Sequence, residues 1–100
     1  MRLVEWTEPA ERSADRFLAM LMDINPAAAK RAREEIQGAT RRFMWMPTPG
    51  RISKRWPGCR ELSLLRWNKV VVFKIMPDCL FVLAFLDARQ DFDTIDLTEK

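Results

Sequence analysis

The chain has 100 residues, 48% of them hydrophobic and 31% charged, the balance of one globular domain and not of a fibrous or disordered chain. A net charge of +3 is a mild bias toward acidic partners, too small to define one. There is no histidine, no tyrosine and only two cysteines, Cys59 and Cys79, which excludes a Ser-His-Asp or Cys-His catalytic arrangement and removes the usual ligands of structural zinc.

Residues 2–6 alternate as a strand, with Leu3 on one side and Val4 and Trp6 on the other. They do not read as a secretory leader. Thr7 has the chemistry of a helix N-cap, with Glu8 and Pro9 in the first turn. Ala10, Ala14, Phe17, Leu18 and Leu21 then follow the helical period, predicting an amphipathic helix of about four turns. Asn25-Pro26 ends it and starts a second helix, because Asn caps well and Pro fits the first helical position. Ala29, Ala32, Ile36, Ala39 and Phe43 give that helix an apolar stripe. Lys30, Arg31, Arg33, Arg41 and Arg42, diluted by Glu34 and Glu35, read as a solvated face with internal ion pairs. So short a connection predicts antiparallel helices.

Residues 46–59 hold three prolines and two glycines and form a loop. Arg51, Lys54 and Arg55 lie in it beside Trp56, with Arg60 just beyond. Basic residues with an interleaved aromatic can hold phosphates and stack a base; the alternative is a solvated loop whose Trp56 caps the sheet. Three strands are predicted over 60–67, 69–76 and 79–86, joined by turns at Asn68-Lys69 and Pro77-Asp78, an antiparallel meander. Arg66 and Lys69 flank the first turn and either extend the basic surface or discourage edge pairing. The last two strands are too apolar for a wet face, so both sides of the sheet are expected to be covered. Cys79 is expected in the core and Cys59 at the loop surface, both reduced in a cytoplasmic setting. The longest apolar run, near 79–86, is far too short to span a bilayer. Asp87 and Arg89 after the last strand read as a pair that pins the chain end, and 91–100 as a polar tail. Met44, Trp45 and Met46, with Phe81, Leu83 and Phe85, are apolar beyond what a small core needs and suggest an adaptable groove for a partner. The expected architecture is thus α+β, β-α-α-β-β-β in one domain over 1–100, with a helical hairpin on a small antiparallel sheet.

The ordered set Leu3-Val4-Glu5-Trp6-Thr7, Asn25-Pro26-Ala27-Ala28-Ala29, Pro47 to Gly50-Arg51, Arg60-Glu61-Leu62, Val70 to Ile75 and Asp87 to Asp91 resembles the RelE/ParE superfamily of bacterial type II toxin–antitoxin toxins. The resemblance implies a growth-inhibiting toxin neutralised by a cognate antitoxin, whose C-terminal segment would cover Met44, Trp45, Met46, Phe81, Leu83 and Phe85. ParE-like members poison DNA gyrase; Arg51, Lys54, Arg55, Trp56, Arg66 and Lys69 would then contact the target. RelE-like members cut messenger RNA on the ribosome without a metal, which here would fall to Lys54, Arg55, Arg60 and Arg89. Such nucleases commonly carry a tyrosine or histidine after the last strand, where this chain reads Leu86-Asp87-Ala88-Arg89; that departure favours the ParE side. A non-toxic binding protein of the same fold is a further alternative. No cofactor, metal, membrane or small-molecule substrate is implied.

Overall fold

The computed structural model describes residues 1–89. Strand β1 (Leu3–Trp6) leads into helices α1 (Glu8–Ile24) and α2 (Pro26–Trp45), followed by β2 (Arg51–Ile52), β3 (Arg60–Leu64), β4 (Lys69–Ile75) and β5 (Cys79–Asp87). The caps act as read from the sequence: Thr7 Oγ1 accepts from the Ala10 N–H and Asn25 Oδ1 from the Ala28 N–H, each satisfying a donor that the first helical turn leaves open. Buried Ala10 and Ala14 of α1, with Ala28, Ala29, Ala32 and Ala39 of α2, keep the facing surfaces of the hairpin small.

The sheet runs β1-β5-β4-β3-β2. It is mixed, not antiparallel throughout: β1 pairs parallel with β5, and the remaining pairs are antiparallel. Two further boundaries differ from expectation. The strand foreseen over 60–67 stops at Leu64, and Leu65–Trp67 coil into a 3₁₀ turn that closes on Asn68 at φ 54°, a left-handed conformation that asparagine tolerates. The loop contains the two-residue β2.

The helix-facing side of the sheet carries Val4 and Trp6 of β1, Leu62 and Leu64 of β3, Val71, Phe73 and Ile75 of β4, and Leu80, Val82 and Phe85 of β5. Phe43 of α2 stacks on Phe73 with ring centroids 4.5 Å apart, and Phe17 of α1 lies 5.8 Å from Phe85, within the range where aromatic pairs add to simple burial. On the opposite, outer side, Val70, Val72 and Ala84 are buried under the loop residues Trp56 and Cys59. The two cysteines thus exchange their expected places. Cys59 is buried because the loop folds back over the sheet, whereas Cys79 is half-buried at the start of β5; the two are not joined in a disulfide.

A β-bulge decides which residues of β5 face which way. Val72 pairs with Ala84 but Phe73 with Val82, so Leu83 is an extra residue and the alternation shifts by one beyond it. Phe81 and Leu83 stay on the outer side, while Phe85 turns into the helix-facing core, 4% exposed. Phe85 is therefore not part of an exposed apolar face, correcting the grouping read from simple alternation. The bulge is fastened by Thr7: its backbone N–H donates to Val82 O at 3.0 Å and its hydroxyl to Leu83 O at 3.1 Å. One threonine therefore caps α1 and satisfies the carbonyl that the bulge exposes.

Candidate functional site

The loop before β3 is a built structure. Arg60 pairs with Phe73 across the ladder, which places its side chain on the helix-facing side. There its Nε donates to Pro49 O at 2.8 Å, and a terminal nitrogen reaches Gly50 O at 3.2 Å and Thr48 O at 3.5 Å. Glu61 points to the outer side and is 7% exposed. It accepts from Arg51 at 2.9 Å and from the Ser53 hydroxyl at 2.7 Å, so both carboxylate oxygens are used. Arg51 also donates to Ser63 Oγ at 2.8 Å. Ser53 Oγ in turn accepts from the backbone N–H groups of Arg55 and Trp56, and the Ser53 N–H donates to Cys59 O. A buried charge needs such complete pairing. Arg51, Ile52, Lys54, Arg55 and Glu61 line a surface cleft of about 420 Å³.

Ser53 and Glu61 were absent from the sequence-derived site. The available signals were a serine preceding a Trp-Pro-Gly turn and a carboxylate whose strand phase coincides with buried neighbours.

At the other end of β4, Trp67 leaves the surface and packs edge-on to Phe17 with centroids 6.1 Å apart. Its indole N–H donates to Glu35 of α2. Lys69 sits over the Phe17 ring, 4.9 Å from its centre, and 3.9 Å from Asp87. It is therefore directed to the helix side, away from Lys54 and Arg55, while Arg66 stays exposed. Asp87 and Arg89 pair as expected, at 3.2 Å. Hydrogen bonds from the Arg89 side chain and then its backbone N–H hold the Asp87 carboxyl down at about 2, with the charge of Lys69 adding to them.

The four residues a ribonuclease would need are thus distributed. Lys54 and Arg55 line the outer cleft, Arg60 grips the loop from the other side, and Arg89 lies beyond the far end of β4. Arg60 pairs with Phe73, whereas Asp87, the partner of Arg89, pairs with Lys69. Those positions are four residues apart, about 13 Å of extended strand.

The apolar residues proposed for a partner are divided too. Trp45 is 68% and Met46 43% exposed, and Leu3 of the edge strand β1 is 66% exposed. They surround Arg2, whose guanidinium donates to the carbonyls of Phe43, Met46 and Pro47 at 3.0, 2.7 and 3.1 Å, while its backbone N–H donates to Met44 O. Arg2 thereby satisfies the carbonyls at the C-terminus of α2 and ties that helix end to β1. Met44, Phe81 and Leu83 are half-buried. Among the described residues no cluster of three or more His, Cys, Asp or Glu side chains could hold a metal ion, and no helix is long and apolar enough to cross a membrane.

In comparison with solved structures, the chain is similar to a chain described as "Chromosomal ParDE TA system from P. aeruginosa", with a TM-score of 0.76 and 24% identity over 89% of this chain and 98% of that one. The chain therefore has a ParE-like α+β fold, two helices on a five-stranded mixed sheet. No protein-family model matches the sequence, and no curated protein matches it.

Proposed function

We propose that the chain is a ParE-like toxin of a type II toxin–antitoxin system, which acts by binding DNA gyrase and is neutralised by a cognate antitoxin. The observation that carries this reading is the dispersal of Lys54, Arg55, Arg60 and Arg89. General acid–base and phosphate-stabilising groups must converge on one reacting centre, whereas a protein that acts by contact needs only a presented surface. The outer cleft lined by Arg51, Lys54 and Arg55 is the proposed target contact, with Trp56 of the same loop. Leu3, Trp45 and Met46, with the partly accessible Met44, Phe81 and Leu83, form the proposed antitoxin contact, since exposed apolar groups at a sheet edge favour a partner that adds chain there. The toxin–antitoxin setting is supported by the shared fold.

The test is a paired assay on purified protein free of antitoxin, measuring gyrase supercoiling and DNA cleavage in one arm and messenger cleavage on programmed ribosomes in the other. Gyrase inhibition with intact message is expected. Message cleavage would overturn the reading in favour of a RelE-like ribonuclease, and silence in both arms would favour a non-toxic binding protein.

A further inference from the structure

Among the described residues, the outer side of the sheet is only partly covered. The loop before β3 lays Trp56 and Cys59 over Val70, Val72 and Ala84, while Leu83 and Leu86 at the margin stay half-buried, as does Phe81 further along β5. The same loop presents cations beside this apolar strip. Arg51, Lys54 and Arg55 line the outer cleft together with Ile52, which is 72% exposed. The carboxylate in its wall, Glu61, is buried and uses both oxygens on Arg51 and Ser53, so the cleft keeps a positive excess. The helix side has no such excess. Arg31, Arg42 and Arg66 share their groove with Glu34 and Glu35, and the ion pairs expected along α2 do not form among the described residues.

The chain itself carries the complementary charge. Residues 90–100 hold Asp91, Asp93, Asp96 and Glu99 against one cation, Lys100, in a chain whose net charge is +3. Phe92, Ile95 and Leu97 are interspersed among them, so the segment pairs acidic with apolar groups as the outer side pairs basic with apolar ones.

Its point of departure is fixed. The Ala88 N–H donates to Asn68 O at 2.7 Å, next to the pairing of Asp87 with Lys69. Leu64, the other partner of Lys69, lies three residues along β3 from Glu61, which pairs with Arg51. From Asp87 the cleft is therefore three residues along the strands and three strand spacings across, roughly 17 Å. About six extended residues span that distance, which brings Asp93, Asp96 and Glu99 within reach.

We propose that residues 90–100 dock on the outer side of the sheet, with Phe92, Ile95 and Leu97 against Trp56, Leu83 and Leu86 and the carboxylates on Lys54 and Arg55. The tether makes the contact intramolecular, so charge pairs too weak to hold a separate peptide face a millimolar effective concentration. The docked segment screens the basic cleft. An anionic partner must displace it, and its apparent affinity falls with the fraction of molecules whose cleft is open. The inference stands whether or not the protein is a toxin.

The experiment cross-links the full chain with a water-soluble carbodiimide, which joins an amine directly to a carboxylate in contact with it, and locates the link by mass spectrometry. Lys30, Lys54, Lys69, Lys74 and Lys100 are the chain's lysines, so the link reports the face. Asp93, Asp96 or Glu99 is expected to join Lys54, within one molecule as judged from mixed ordinary and isotope-labelled protein, and the yield is expected to fall in high salt. A second arm combines Asp93→Asn, Asp96→Asn and Glu99→Gln. Amide shifts are expected to change at Lys54 to Trp56 and at Leu86. This variant is also expected to bind a single-stranded oligonucleotide about tenfold more tightly, the gain if the segment covers the cleft in about nine-tenths of molecules. Joint Glu11→Gln, Asp15→Asn and Asp23→Asn on α1, the same loss of negative charge elsewhere, is expected to change that affinity by less than about twofold. A link mainly to another lysine or between two molecules, equal oligonucleotide binding by the tail variant and the unchanged chain, or an equal gain in the α1 variant would each overturn the proposal.

Discussion

Two regions of this protein hold arginines beside a glycine, and they use them in opposite ways. In the loop leading to β3, Arg60 is bonded to the carbonyls of Thr48, Pro49 and Gly50, and Arg51 to Glu61 and Ser63. On α2 and the turn after β3, Arg31, Arg42 and Arg66 have no such partners among the described residues. The contrast teaches that positive charge in a sequence does not by itself mark a binding surface. An arginine in a proline- and glycine-rich loop can be an internal fastener, since its five donors match the carbonyls that an irregular backbone leaves unpaired. An arginine on a regular helix has no such carbonyls to serve, because the helix pairs them itself.

The strongest way to break the comparison is at the two glycines. Gly50 has φ 68°, and a Cβ there would come within 2.4 Å of Glu61 O and 3.0 Å of the Phe73 ring. Neither backbone nor core ring can yield cheaply, and the conformation itself disfavours a side chain. Gly50→Ala is therefore expected to lower unfolding free energy by at least about 2 kcal/mol, read as a shift of the urea midpoint. A loss below half of that would mean that the loop is not held as tightly as its contacts imply.

The arginines sharpen it next. Arg60→Ala removes several charge-assisted hydrogen bonds to carbonyls and is expected to cost about 2 kcal/mol, with Arg60→Lys recovering only part because a lysine lacks the fork. Arg42→Ala, on the open side, is expected to change stability by less than about 0.5 kcal/mol. Equal losses in the two variants, measured by urea denaturation, would erase the distinction. The same result bears on function: loss of toxicity in Arg60→Ala would not identify a nuclease residue unless the variant is first shown to be folded.

How much of this was legible in the sequence follows from which forces are local. Thr7 and Asn25-Pro26 announced both helix starts because capping involves a few adjacent residues. The apolar strands announced themselves by composition. The parallel pairing of β1 with β5 could not be read, because it joins residues nearly a chain length apart and either direction would bury Val4 and Trp6 equally well. The bulge at Leu83 was equally silent: its fastener, Thr7, lies in another element, and its effect was to move Phe85 from the imagined groove into the core. The same limit applied to the basic set. Arg51, Lys54, Arg55 and Arg60 are close in sequence, but strand alternation sends Arg60 to one side of the sheet and Glu61, with its partner Arg51, to the other. The tail over 91–100 lies outside the described residues.

The smallest expected effect is also the most direct statement of the difference between the regions. Gly38→Ala should raise unfolding free energy by about 0.5–1 kcal/mol, because alanine fits the helix and its Cβ meets only the side-chain ends of Arg41 and Arg42, at 3.7 and 3.9 Å, which is ordinary contact. A substitution that stabilises where its counterpart at Gly50 destabilises would show that one glycine is required by the fold and the other is not. Should Gly38→Ala destabilise instead, an internal role would account for the glycine, and the contrast with Gly50 would be one of degree only.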